Sequence, residues 1–593
     1  MHKDYSSIGF SVFLVFISLI LTAVLELNRN TVPGFVLLIL LAVLFGRIRA
    51  RYPFRGFLKK LLSWICFFLL YAGILFLTWP PVKSVPAVSY PNPEYTDIIS
   101  VEQGELRGVL SEDGSVEIYA GIPYAKPPVN DLRWMEPQDT EPWDGVLDAD
   151  TFAPMSMQVT NLPIYSSLAQ IIGYHDYQIS LQDNYREPVS EDSLYLNIWK
   201  PAGDVSDLPV VVYIHGGSLQ TGQPWYADYG GEGLAKQDVI VVNMGYRLGL
   251  FGFYADEELA EESEHHTTGN YGLLDQIKAL KWVRDNISAF GGNPDNVTLA
   301  GESAGSACVS ALCTSPLAEG LFVRAVGESS SVASVSPPHS FRHLDEALKS
   351  GNDLKQRHNV ASVQELRALP AEELVSEAAS QHHITVDGYV LTETPYESYQ
   401  KGIHNEQQLL HGYNSEESAP FLLFDKTNLK NWQEKVQTWF GEYADEVISL
   451  YPCETDEDAA EAWADIYGSL FFNYPHYCWN RMAGENDIPV YEYLFSKTNG
   501  RLGPWHSGEE VYFYGNIPEN SDLYTTDDRQ LSKMMSGYFA SFAKDGDPNG
   551  PGLPEWRETS GSRELMEFGD HIGMIEEKHL ALYEILDRMY GLK

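Results

Sequence analysis

The chain has 593 residues, 44% of them hydrophobic and 12% aromatic, which is enough for a large core. It carries 82 Asp and Glu against 40 Lys and Arg, a formal net charge of −42 at pH 7. Such an acidic surface repels nucleic acid and anionic lipid headgroups, and it stands against a bulky anionic substrate unless a local patch captures one.

The charge is unevenly spread. Residues 1–84 hold nine basic and two acidic side chains, leaving 31 basic and 80 acidic in the remainder, a net of −49. Five cysteines are present, with no close CxxC pair and no Cys/His cluster that suggests a metal. That number prescribes no disulfide framework in a chain of this size.

Three apolar runs open the chain: Ile8–Leu27, Val32–Gly46 and Leu61–Trp79. At 1.5 Å per residue the first and third are long enough for a hydrocarbon core of about 30 Å, while the second is marginal. No small-x-small cleavage site follows the first run, so retained transmembrane helices are expected, two or three in number. The loop Arg47–Lys60 carries six positive charges, and positive loops stay cytoplasmic. This places everything after Trp79 on the extracytoplasmic side of a cell membrane. Residues 80–93 contain five prolines and read as a semi-rigid spacer. The expected organisation is a membrane anchor over 1–80, a Pro-rich linker over 81–96 and a folded body over 97–593.

From about Tyr95 strands and helices alternate. Leu208–Ile214 and Val239–Asn243 read as buried strands of a largely parallel sheet. Ile277, Leu280, Val283, Ile287 and Phe290 share one helical face. Val297–Leu299 is a further strand. Repeated β–α alternation predicts an α/β sheet flanked by helices.

Gly301-Glu302-Ser303-Ala304-Gly305 follows that last strand and precedes a helix-competent stretch. This is the setting of a nucleophile elbow, a turn so tight that the residues two before and two after the serine must be small. Upstream, His215-Gly216-Gly217-Ser218 follows the strand ending at Ile214. Its glycines allow backbone N–H groups to point at one spot, and Gly216, Gly217 and Ala304 together make a candidate oxyanion hole.

A serine is a weak nucleophile without a base that an acid orients. In this arrangement the chain order is Ser, acid, His. Eleven histidines follow Ser303. His506, in Gly503-Pro504-Trp505-His506, emerges from a loop after the strand-like Val490–Phe495, where a base belongs. For the acid, Glu417 follows Leu409–Gly412, and spacing alone leaves the adjacent Glu416 open.

These residues resemble the type-B carboxylesterase family, which includes cholinesterase-like enzymes and bacterial para-nitrobenzyl esterases. The likeness spans about residues 97–590. It is carried by FGGNPDNVTLAGESAG from Phe290, AGIPYAKPP from Ala120, GYRLGLFGF from Gly245, GNYGLLDQIKALKWV from Gly269 and FAKDGDPNGP from Phe542. The resemblance implies an α/β-hydrolase fold and a serine esterase acting on small-molecule carboxylic esters. It makes Ser303 the nucleophile, His506 the base, Glu417 rather than Glu416 the acid, and Gly216, Gly217 and Ala304 the oxyanion donors. No cofactor or metal is expected.

The chain departs from that family at several positions. Ser193 stands where a cysteine is usual, and the stretch Phe152–Ser156 lacks the partner cysteine. The usual N-terminal disulfide is therefore expected to be absent and its loop looser. The tryptophan with which cholinesterases hold a quaternary ammonium is missing near Asp183, which disfavours choline esters. Two other readings stand beside ester hydrolysis: adhesion on the same fold without catalysis, and amide or carbamate cleavage or acyl transfer through the same acyl-enzyme. The sequons at Asn286 and Asn296 fall in predicted regular structure and read as structural.

Overall fold

The computed structural model describes residues 5–52, 56–81, 88, 93–159 and 188–592. Contacts divide them into two units: the N-terminal helices within residues 1–84, and a body formed by 85–159 and 189–593.

The first unit consists of α1 (Tyr5–Leu27), α2 (Val32–Arg51) and α3 (Phe57–Leu77). All three are long and apolar enough to cross a membrane. The second run is thus not marginal. It gains a turn because Arg47, Arg49 and Arg51 continue the helix, as arginine is a good helix former and a cation suits a helix C-terminus. For the same reason the basic segment is no open loop over 47–60, since Lys59 and Lys60 already lie in the first turn of α3. Phe10, Phe45, Trp64 and Phe67 cluster between the helices with ring centroids 4.9–5.9 Å apart. Asn30 Nδ2 donates to the Leu75 carbonyl at 2.8 Å and to Thr78 Oγ1 at 3.0 Å, tying the α1–α2 turn to the end of α3.

The body is built on an eleven-stranded sheet. In chain order the strands are β1 (Val109–Leu110), β2 (Val116–Pro123), β3 (Tyr195–Pro201), β4 (Leu208–Ile214), β5 (Ile240–Met244), β6 (Gly292–Glu302), β7 (Arg324–Glu328), β8 (Gln408–Asn414), β9 (Val490–Phe495), β10 (Glu564–Phe568) and β11 (Ile572–Glu576). Their spatial order is β11-β10-β9-β8-β7-β6-β4-β5-β3-β2-β1. The run from β10 to β5 is parallel and antiparallel strands close both ends, so the sheet is largely parallel, as expected. The body also begins earlier than residue 97, because Glu94 and Thr96 already exchange backbone hydrogen bonds with Leu110 and Gly108. Most of the proline spacer lies outside the described residues.

The helices that matter for the site are α4 (Tyr271–Asn286), α5 (Ala304–Leu312), α6 (Ala419–Leu422), α7 (Trp432–Phe440), α8 (Tyr474–Glu485) and α9 (Thr526–Asp545). Strand β4 explains why the central strands read as continuous apolar runs. Its Val210, Val212 and Ile214 pack into a core with Leu280 and Val283 of α4 and Ala307 of α5. Its Val211 and Tyr213 face the other way, into a core with Leu531 and Met535 of α9. Helices cover both faces, so both sets of alternate side chains must be apolar.

Candidate active site

The strand expected over Val297–Leu299 is longer, and β6 runs to Glu302. Ser303 follows at φ 52° and ψ −123°, and α5 begins at Ala304. A non-glycine residue held at positive φ costs about 1–3 kcal/mol and persists only where its surroundings impose it. Here the Ser303 N–H is fixed to the Glu328 carbonyl of β7 at 2.8 Å. The flanking glycines are obligatory. A Cβ on Gly301 would come within 2.7 Å of the Gly305 carbonyl carbon, and one on Gly305 would run into the Ile214 carbonyl. The turn leaves the Ser303 side chain at a helix N-terminus, where the dipole favours a developing negative charge.

His506 arrives from the loop after β9. Its Nε2 lies 2.8 Å from Ser303 Oγ, and its Nδ1 lies 2.6 Å from Glu417 Oε2. Glu417 stands just beyond β8 and is 1% exposed. Its other oxygen accepts the Asn414 backbone N–H at 2.8 Å, which fixes the carboxylate towards the imidazole. Glu416 turns elsewhere, accepting from Trp505 Nε1 at 3.1 Å. Its backbone N–H bonds the Pro504 carbonyl, so this residue braces the histidine loop. The rings of Phe421 and Phe472 close on His506 at 5.2 and 4.9 Å between centroids.

The His215–Gly217 turn abuts the same serine. A Cβ on Gly216 would sit 3.0 Å from Ser303 Cβ, and Gly217 takes φ 105°, open to glycine. Tyr246 pins the turn by stacking on the His215 ring and donating to its carbonyl at 2.8 Å. Gln158 holds the far end, bonding both the N–H and the carbonyl of Gly222. Among the described residues the N–H groups of Gly216, Gly217 and Ala304 donate to no protein acceptor. Three free donors beside the candidate nucleophile are suited to a tetrahedral oxyanion.

Four more carboxyl groups lie buried around this cluster. Glu302 Oε1 is 3.4 Å from His506 Nε2 and accepts from Ser507 Oγ at 2.6 Å. Burial, and then the charge of Glu509, hold the Glu302 carboxyl well above its ordinary range. Burial also raises Glu328 and Glu510 well above theirs. It pushes Glu509 up to about 7, with the charge of Glu417 adding to the shift. Glu509 in turn accepts from Asn414 Nδ2 and from Ser329 Oγ.

All six sequence-predicted site residues therefore converge. The sequence reading missed the contacts of Glu302, Ser507, Glu509, Phe421 and Phe472. Glu302 stood inside the elbow motif without a role, and the others carry no local pattern. Phe472 lies in a π-helical turn, Ser469–Asn473, just before α8. A cleft of about 560 Å³, lined by Asp97, Lys200, Asp207 and Asn293 among others, lies at the N-terminal ends of β4 and β6, the edge opposite Ser303.

Residues 95–581 match the carboxylesterase family. The chain belongs to that family. It is 32% identical over 509 residues to carboxylesterase 1C of Mus musculus, covering 80% of this chain and 89% of that one. It is 32% identical over 497 residues to the fumonisin B1 esterase of Sphingopyxis macrogoltabida, covering 80% and 86%. Among solved structures it resembles a carboxylesterase of Geobacillus stearothermophilus, with a TM-score of 0.69, 30% sequence identity and coverage of 82% of this chain and 99% of that one. This carboxylesterase is accordingly a carboxylic ester hydrolase on the α/β-hydrolase fold.

One departure from the family has a structural counterpart. Ser193 Oγ lies 2.9 Å from Ser156 Oγ, and Ser156 Oγ also donates to the Tyr246 carbonyl at 2.6 Å. A hydroxyl pair thus occupies the place expected for a disulfide. The five cysteines are unpaired. The loop expected to be loosened, and the neighbourhood of Asp183, lie outside the described residues.

Proposed function

We propose that the chain is a membrane-anchored serine esterase that works through a Ser303–His506–Glu417 triad. The observation that supports this best is the relay in which His506 lies 2.8 Å from the serine oxygen and 2.6 Å from the glutamate. His506 takes the Ser303 proton as Oγ attacks the ester carbonyl carbon. The carbonyl oxygen becomes an oxyanion, held by the N–H groups of Gly216, Gly217 and Ala304. Glu417 keeps Nδ1 protonated and stabilises the imidazolium. His506 then protonates the departing alcohol, and the acyl group remains on Ser303. Water, deprotonated by the same histidine, attacks the acyl-enzyme and releases the acid.

The test is hydrolysis of para-nitrophenyl acetate, butyrate and octanoate by the parent and by Ser303→Ala. Loss of the nucleophile is expected to lower kcat by about 10⁶. A parent without turnover would overturn the triad reading and return weight to adhesion on this fold. Equal turnover in parent and mutant would place the nucleophile elsewhere.

The anchor reading rests on α1–α3, each long and apolar enough to span. The basic residues Arg47–Arg51 and Lys59–Lys60 flank the junction of α2 and α3, which favours a cytoplasmic junction and an extracytoplasmic body. Protease added to intact cells is expected to digest the body. Full protection would reverse the topology.

A further inference from the structure

The body exposes few large apolar side chains, and they are not scattered. Of the twelve exposed in its described part, five lie within 19 residues: Phe421, Leu423, Phe424, Leu429 and Trp439. Phe424 is 89% exposed, the highest of the twelve. Phe421 and Trp439 pack on the adjacent Phe472 and Phe471, which brings the two ends of this segment to neighbouring rings, and a grouping of exposed apolar side chains is a candidate interaction surface.

This lip adjoins the reaction centre. Phe421, in α6, is half exposed and also packs its ring against His506. It stacks on Phe472, which reaches His506 as well. Trp439 is the exposed large apolar residue of α7, whose Trp432, Val436 and Phe440 are buried, and it packs edge-on against Phe471 at 5.3 Å. Aromatic surface therefore extends from the catalytic imidazole outwards.

The charge around the lip is also distinct. Asp425 is neutralised by Lys435 at 2.6 Å. Lys426 and Lys430 are exposed and, among the described residues, have no acidic partner. The lip thus carries two lysines without an acidic partner, while Asp456 accepts the Leu429 N–H at 3.1 Å and Glu434 is exposed on the helix of Trp439. Exposed Phe, Leu and Trp flanked by lysine is the composition of a surface that settles at a membrane interface, with rings at headgroup depth and ammonium groups reaching the phosphates.

We infer that Leu423, Phe424, Leu429 and Trp439 dock the mouth of the active site onto a neutral, phosphatidylcholine-like lipid surface, so that apolar esters dissolved in the bilayer reach Ser303 along Phe421. This rests on the esterase and anchor readings above. The same chain offers three candidate spans, so a bilayer that takes them up also supplies the surface the lip would meet. The acidity of the rest of the body disfavours an anionic surface and singles out a zwitterionic one.

The experiment uses the full chain in phosphatidylcholine vesicles. Cys66 and Cys453 are replaced by Ser, an environment-sensitive fluorophore is attached at Phe424→Cys, and Tyr226→Cys serves as the exposed control. Flotation with the vesicles reports the anchor separately, and a chain that fails to float refutes the anchor and the lip together. In a floating chain, emission from position 424 is expected to shift to the blue and to be quenched by doxyl-labelled phosphatidylcholine, with position 226 unchanged. Equal emission at both positions without quenching overturns the lip. A blue shift that grows with protein density but resists the doxyl lipid assigns the surface to a second copy of the chain and overturns it too. In a second arm, Leu423→Asp with Phe424→Asp is expected to cut hydrolysis of a long-chain ester dissolved in the vesicles about tenfold, while water-soluble para-nitrophenyl acetate is cleaved at the parent rate. Parallel loss on both substrates would make these residues part of the catalytic pocket. No turnover of acetate by the parent would instead refute the esterase reading.

Discussion

Glu417 and His506 meet at 2.6 Å, whereas Glu416, one residue away, turns its carboxylate to the indole of Trp505. In the proposed triad the two glutamates divide the work, Glu417 orienting the base and Glu416 bracing its loop. Replacing Glu417 by Gln keeps the shape but removes the acceptor that selects the imidazole tautomer. It is expected to lower kcat by roughly 10³–10⁴, as loss of the orienting carboxylate does in triads generally. Glu416→Gln retains an acceptor for Trp505 and is expected to stay within about tenfold of the parent. Steady-state kinetics on para-nitrophenyl butyrate separates them. The reverse ranking would exchange the two roles.

The Ser156–Ser193 contact predicts a restored crosslink. Their oxygens already lie 2.9 Å apart, and a disulfide needs little more than closing that gap. Ser156→Cys with Ser193→Cys is expected to oxidise spontaneously. By the chain-entropy account, a bridge between these positions stabilises the body by about 3–4 kcal/mol. Thiol titration and melting with and without reductant check this. Two free thiols in the oxidised protein would show that the positions cannot approach. The Cβ atoms would then have to lie outside disulfide range despite the hydroxyl contact.

Much of this was legible in the sequence because the chemistry is local. Val490–Phe495 was readable as a strand because both faces are buried, and the observed bounds agree. The elbow was readable because Gly301 and Gly305 are sterically forced. The turn that offers the proposed oxyanion donors was readable because its adjacent glycines follow a strand directly. Helix ends were less so: Arg47–Arg51 is polar, yet it continues α2, since hydropathy marks a membrane span while propensity decides where the helix stops. The second ring of the site was not readable at all. Glu509 meets Asn414 and Ser329 only through the folded sheet. Phe472 reaches His506 from a π-helical turn that no period announces.

The two sequons are expected to remain unmodified. Asn286 is 4% exposed, and its amide donates to the Trp282 carbonyl at 3.0 Å while its oxygen accepts the Glu102 N–H at 2.9 Å. Asn296 donates to the Lys544 carbonyl at 3.1 Å and accepts from Arg324. A glycan on Nδ2 of either would have to displace the packed groups around the Trp282 or Lys544 carbonyl that Nδ2 now meets. Peptide mapping of protein made in a glycosylating host is expected to find both asparagines bare. Occupancy at Asn286 in active, folded protein would contradict its burial.

Two buried histidine sites are expected to make stability depend on pH in opposite senses. His411 of β8 and His476 of α8 are buried with their Nδ1 atoms 2.8 Å apart and their rings stacked. Burial drives His476 down to about 3, and burial together with its neighbour drives His411 well below its ordinary value. Each binds fewer protons folded than unfolded, where the value is near 6.5. Their contribution is therefore whole above about pH 6.5 and is lost as pH falls below it. His579 behaves in the opposite sense. Burial alone would lower it, but Asp465 at 3.0 Å and Glu577 at 2.9 Å raise it to about 9. Its contribution is whole below about pH 6.5 and is lost as pH rises through 9. Denaturant melts across pH 5–10, compared between parent and variants, separate these two contributions from that of the buried glutamates, which falls as pH rises above the ordinary carboxylate range. His579→Gln should flatten the alkaline limb, and His476→Asn the acid limb. If His579→Gln changed only the acid limb, the ion triad would not be the source of the alkaline loss.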